Sequence, residues 1–115
     1  MTIRPSNRYT NYHAHLYFDK DSVERASFIG QEAKRLFSIN LGRVHRKLLG
    51  PHPNWSCQLA FNCHQFNELI PWLETHRGGL SILVHGLTGE DLADHTKHAT
   101  WLGEELNLKL EYFSY

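Results

Sequence analysis

Histidine, with nine copies, outnumbers both glycine and tyrosine in this chain, and two of the nine stand one residue apart in the stretch YHAHLYF from Tyr12 to Phe18. Imidazole changes charge near neutral pH and is the commonest protein ligand for metals. A strand turns successive side chains to opposite faces, which puts Tyr12, Ala14, Leu16 and Phe18 on one side and His13, His15 and Tyr17 on the other. Alternate residues on one face lie about 7 Å apart, so two converging rings can reach one ion. The stretch Leu80 to His85 repeats the pattern, with Leu80, Ile82 and Val84 facing one way and Ser81, Leu83 and His85 the other. Further along, Asp91, Asp94, His95 and His98 fall at helical spacing, which puts His95 and His98 on one stripe. Metal binding and proton transfer are the chemistries such residues offer.

Hydrophobic periodicity and turn residues supply the elements that must position them. After the first strand, Asp19 to Ser22 provides turn and capping residues, and apolar residues at near-helical spacing predict a helix over Ser22 to Phe37. Leu41 to Leu48 reads as an edge strand guarded by Arg43, His45 and Lys47. Gly50 to Asn54, with two prolines, forces a loop, and Trp55 to Asn62 returns as a strand. Asn62 and Gln65 form a capping box for a second helix running to about Thr75, with Pro71 inside it, and Arg77-Gly78-Gly79 stops that helix before the Leu80 to His85 strand. A short helix over Asp91 to Gly103 and a strand or tail over Leu106 to Phe113 complete the chain.

The resulting order is βαββαβ, the ferredoxin-like α+β pattern of an antiparallel sheet with both helices on one face, here followed by a C-terminal short helix and tail. In that arrangement the strands lie in the order fourth, first, third, second. With the apolar sides against the helices, His13, His15 and His85 share the open face, and His85 lies nearest His13. The same topology sends His45 and His52 toward the far end of the sheet, so a common site with His13 requires a bent loop or a second subunit. His64 and His76 fall at helix ends, where capping and exposure account for them.

The chain's length, 1–115, suits a single domain, with residues 1–11 as a loosely held arm. An apolar share of 41% and a charged share of 21% are those of a globular protein. Lys and Arg number 12, as do Asp and Glu, and this balance argues against capture of nucleic acid or an acidic membrane. A small-molecule partner is the expectation. Cys57 and Cys63 form no disulfide framework, and the absence of an apolar leader or span predicts a cytoplasmic protein with reduced thiols. An open sheet face of mixed polarity predicts a homodimer.

Four stretches together resemble the DOPA 4,5-dioxygenase family: YHAHLYF at Tyr12 to Phe18, GPHP at Gly50 to Pro53, RGGLSILVH at Arg77 to His85, and DLADHTKHATWLG at Asp91 to Gly103. The resemblance implies a ferredoxin-like fold and, for pigment-forming members, extradiol cleavage of the DOPA catechol ring by dioxygen at a non-haem Fe(II). Zn or another divalent ion could occupy such a site as isolated. The resemblance implies His13 and His85 as ligands, with His15 either a third ligand or the acid-base group, and makes His52, His95 and His98 candidates for proton transfer or substrate binding. Asp91, Asp94 and Glu111 are the candidate carboxylate ligands, unless the triad is all histidine. Arg43 or Lys47 could hold a substrate carboxylate. A dimeric protein that binds a metal or an aromatic ligand on the same face without turning it over is the competing reading.

Overall fold

In a computed structural model that describes residues 3–113, the elements are β1 (Asn11–Phe18), α1 (Val23–Phe37), β2 (Asn40–His45), β3 (Trp55–Asn62), α2 (Cys63–His76), β4 (Ser81–Gly86), α3 (Asp91–Asp94) and β5 (Thr100–Leu102), closed by a 3-10 turn at Leu110–Phe113. The sheet is antiparallel with the order β2-β3-β1-β4-β5. Its first four strands therefore follow the expected ferredoxin-like order, and β5 extends the β4 edge.

Alternation decides which face is buried. Tyr12, Ala14, Leu16 and Phe18 of β1 join Cys57, Leu59 and Phe61 of β3 and Ile82 and Val84 of β4 in one core. The helices complete it with Val23, Ala26, Ile29 and Ala33 from α1 and Phe66, Leu69, Ile70 and Leu73 from α2. The Asn62 side chain accepts from the backbone N–H groups of His64 and Gln65, and the Gln65 side chain accepts from the Asn62 N–H, so the capping box forms as the spacing requires. Pro71 lies within α2, which runs on to His76.

Two segments depart from expectation. The helix expected over Asp91 to Gly103 stops after Asp94, because the N–H groups of Thr96 and His98 both turn back to the carbonyl of Ala93. Thr100 to Leu102 then becomes β5, pairing Ile82 with Leu102 and Val84 with Thr100. The unpaired edge of β4 offers these residues a ladder, and Thr and Trp suit a strand better than a helix. Among the described residues the tail from Glu104 onward forms no strand. It folds over the sheet face opposite the helices, where Leu106 and Leu108 pack against Tyr17, Leu83 and Trp101.

The segment before β1 is irregular but tied down. Tyr12 Oη accepts from the N–H groups of Arg8 and Tyr9 and donates to Asn7 Oδ1, and Ile3 accepts from the Trp101 N–H. Met1 and Thr2 of the expected arm lie outside the described residues.

Candidate metal centre

On the tail-covered face, β1 and β4 bring three imidazoles together. His13 stands directly across from His85 in the ladder and His15 across from Leu83. One ring nitrogen from each of His13, His15 and His85 falls within 4.8 Å of the other two. His15 and His85 are nearly stacked, with their Nε2 atoms 3.1 Å apart. Both are buried, while His13 is half-buried. The Nδ1–H of neutral His85 donates to the carbonyl of Gly86 at 3.0 Å, which leaves Nε2 with its lone pair free.

Two loops add two more rings. The turn at Leu49 to His52, closed by the His52 N–H on the Leu49 carbonyl, bends back over the sheet. It sets the His52 ring 4.4 Å from that of His15. His52 is thus not at the far end of the sheet, and a bent loop does what the topology alone could not. The tail holds this loop down, since the Lys109 N–H donates to the Pro51 carbonyl at 2.7 Å. His95, just past α3, lies 4.4 Å from the His85 ring and 5.2 Å from that of Phe113. Its Nδ1 is 2.8 Å from the Asp91 carbonyl.

His98 is not brought into this group. With α3 only one turn long it shares no stripe with His95, and its ring meets Tyr9 instead. Among the described residues no carboxylate joins the three converging nitrogens. Asp91 and Glu111 are exposed. Asp94 is 1% exposed, but it accepts from the N–H and hydroxyl of Thr88, closing the loop that carries β4 into α3.

Crowding and burial favour the neutral form of His13, His15, His52 and His85. Burial is the main cause for each ring, and the neighbouring imidazoles add to it. His15 is held well below the usual histidine range and His13 is lowered, while His52 and His85 are pushed down to about 4. Neutral imidazole is the form a metal binds. Metal–nitrogen bonds of about 2.1 Å, as for zinc, put two ligands at right angles about 3 Å apart. The His15–His85 spacing matches that value, so this pair suits two positions on a first-row divalent ion, with His13 the third ring beside them.

Tyr17 is a feature that pattern reading did not assign. Its hydroxyl is 2.7 Å from Nδ1 of His52, and the phenol is buried, which pushes its pKa upward and keeps the proton on oxygen. With no other partner among the described residues, that O–H donates to His52. Neutral His52 then carries its own hydrogen on Nε2. Two hollows flank the cluster. One, of about 270 Å³, is lined by His15, His45, His52 and Tyr112, and the other, of about 350 Å³, by His95, Trp101, Leu106 and Leu108.

A ferredoxin-like α+β domain with a histidine-built, metal-competent face defines the class. The sequence profile of the Dopa 4,5-dioxygenase family matches residues 12–112, and the chain belongs to that family. It is 32% identical over 108 residues to a DOPA 4,5-dioxygenase of Amanita muscaria, a match covering 86% of this chain and 47% of that protein. An uncharacterized 21.2 kDa protein of Botryotinia fuckeliana is 33% identical over 111 residues, covering 86% of this chain and 61% of the relative. The chain thus spans less than two thirds of either curated relative. A crystal structure from Nostoc punctiforme, described as that of a candidate dioxygenase, superposes with a TM-score of 0.88 at 40% identity over 91% of both chains.

Proposed function

We propose that this protein is a non-haem iron extradiol dioxygenase that opens the ring of a catechol such as DOPA or a related phenylpropanoid. The observation that carries the reading is the convergence of His13, His15 and His85, whose ligand atoms all lie within 4.8 Å of one another. Those three residues would hold the ion. Ferrous iron with open coordination positions would supply activation of dioxygen beside the substrate.

The remaining work falls to the chain. His52, held by Tyr17, presents an Nε2–H; when that proton leaves, the Tyr17 hydroxyl proton replaces it at Nδ1, and both return by the same path, so the pair can relay the proton that ring opening moves. His95 faces the cluster across His85 and is the second candidate for moving a proton. The tail, with Leu106 and Leu108 over Trp101, shields one side of the cluster from water. Among the described residues no helix is long and apolar enough to cross a membrane. A cytoplasmic homodimer remains part of the proposal, and sedimentation of the purified chain tests its oligomeric half.

That no carboxylate among the described residues joins the three nitrogens supports a second reading, since three neutral histidines also suit zinc. In that reading the protein binds an aromatic ligand without turning it over. Oxygen uptake separates the two. The protein is loaded anaerobically with ferrous ion and given DOPA, caffeic acid and catechol in turn, beside a zinc-loaded control. Iron-dependent uptake with growth of a yellow ring-opened product supports the enzyme. One bound metal per chain without uptake favours the binding protein.

A further inference from the structure

A third cavity lies between the N-terminal arm and the turn after α3. Its volume of about 350 Å³ is that of a small-ligand site. Arg4 and Arg8 reach it from the arm, Lys97 and His98 from the turn, and Ile3 and the Tyr9 ring add apolar surface. Among the described residues no Asp or Glu lines it. In a chain whose cationic and acidic residues are equal in number, such a one-signed cleft is a local choice rather than a consequence of composition.

Two of the cations there are also uncommitted. Arg4 pairs with Glu74, but among the described residues Arg8 and Lys97 have no carboxylate within ion-pair distance. Their wall is fixed. The Tyr12 hydroxyl gathers the N–H groups of Arg8 and Tyr9, Asn7 Nδ2 donates to the Cys63 carbonyl, and the Trp101 N–H holds Ile3. A backbone anchored at three places presents charge with little ordering cost on binding.

We propose that this cleft binds a small aromatic carboxylate, its charge between Arg8 and Lys97 and its flat body against Tyr9 and Ile3. The cleft reaches His85 at its inner end, yet the proposal needs neither a bound metal nor ring cleavage. It also moves the anion site away from the exposed Arg43 and Lys47, on and just beyond β2.

Calorimetric titration of the metal-free chain with benzoate, uncharged benzamide and inorganic phosphate tests this. The expected result is one benzoate per chain, bound more tightly than benzamide or phosphate and more weakly as sodium chloride is raised. Replacing two exposed cations, Arg8→Ser with Lys97→Ser, weakens benzoate about tenfold. Both side chains are exposed, so the melting midpoint stays put. The pair Arg43→Ser with Lys47→Ser leaves the affinity unchanged. Benzoate binding no better than benzamide or phosphate would overturn the proposal, as would no binding at all or an equal loss in the β2 pair. A failed oxygen-uptake assay leaves it standing, because no metal is present in this titration.

Discussion

Nε2 of His15 and Nε2 of His85 stand 3.1 Å apart, too close for both to carry bare lone pairs without repulsion and too close for both to carry hydrogens. The Gly86 carbonyl engages Nδ1 of His85, so in the neutral pair His85 Nε2 accepts and His15 Nε2 donates. The same spacing serves two ligands of one ion. Metal therefore exchanges for a hydrogen already held at the site, and His15 must move its own hydrogen to the other ring nitrogen.

This exchange is observable. In the metal-free chain the Nε2–H of His15 is expected as a protected imidazole resonance, lost when one equivalent of zinc is added. His15→Ala and His85→Ala each weaken metal binding by at least about 100-fold, more than loss of an outer partner does. His98→Ala and His64→Ala leave it unchanged. Equal losses in all four variants would show that the three converging histidines are not the site.

Acid should loosen the metal-free protein. His85 and His52 fall from 6.5 in the unfolded chain to about 4 in the folded one. Between those values the unfolded state binds more protons, so stability rises with pH, is complete above about 6.5 and is lost as pH falls toward 4. For buried His85 the slope approaches about 1.4 kcal/mol per pH unit, and solvent screening makes half-buried His52 worth less. Melting midpoints steady from pH 8 to 7 and falling steeply below 6.5 are expected, with a shallower fall in His52→Ala. A flat profile down to pH 4.5 would contradict this.

Period-two alternation was enough to put His13, His15 and His85 on one face, because both flanking strands bury a clean apolar side and a slip in either would expose it. The strand order followed from the βαββαβ pattern. His52 was misplaced toward the far end of the sheet, since its position depends on how a proline-containing turn bends and on the Lys109 hydrogen bond, neither of which leaves a periodic trace. The stretch Asp91 to Gly103 misled because its helical spacing competes with pairing to the β4 edge, and only tertiary structure reveals that edge. The tail's cover over Tyr17 and Trp101 was invisible for the same reason. That cover occupies part of the face from which a homodimer was expected.

Gly86 links the metal centre to the arm. A Cβ there would overlap the Tyr9 ring, while the Gly86 carbonyl sets the hydrogen position on His85. Gly86→Ala is expected to cost about 2 kcal/mol, or about 10 °C in melting midpoint, through forced displacement of Tyr9. Adding Tyr9→Ser removes the two ring atoms nearest the new Cβ, leaves only the Cβ of residue 9 close to it, and recovers part of that loss, a coupling that a double-mutant cycle reads directly. If the two substitutions simply add, the contact does not limit the site.

Tyr17→Phe isolates the orienting hydrogen bond from the bulk of the ring. The phenol keeps the Tyr17 ring packed on Trp101 and donates to Nδ1 of His52, so the variant loses the donor and keeps most of the packing. Stability should fall by about 1 kcal/mol. Under the dioxygenase reading, His52 without its partner can carry its hydrogen on either nitrogen, and only one of these tautomers keeps it on Nε2. Turnover is then expected to drop about tenfold with KM nearly unchanged, whereas His52→Ala should cost about 100-fold or more, as loss of an acid-base group does. Metal affinity stays at the unsubstituted value in Tyr17→Phe, because His13, His15 and His85 are untouched. A rise in KM with turnover intact would instead make Tyr17 a wall of the substrate pocket, and His52 would lose its claim to the proton.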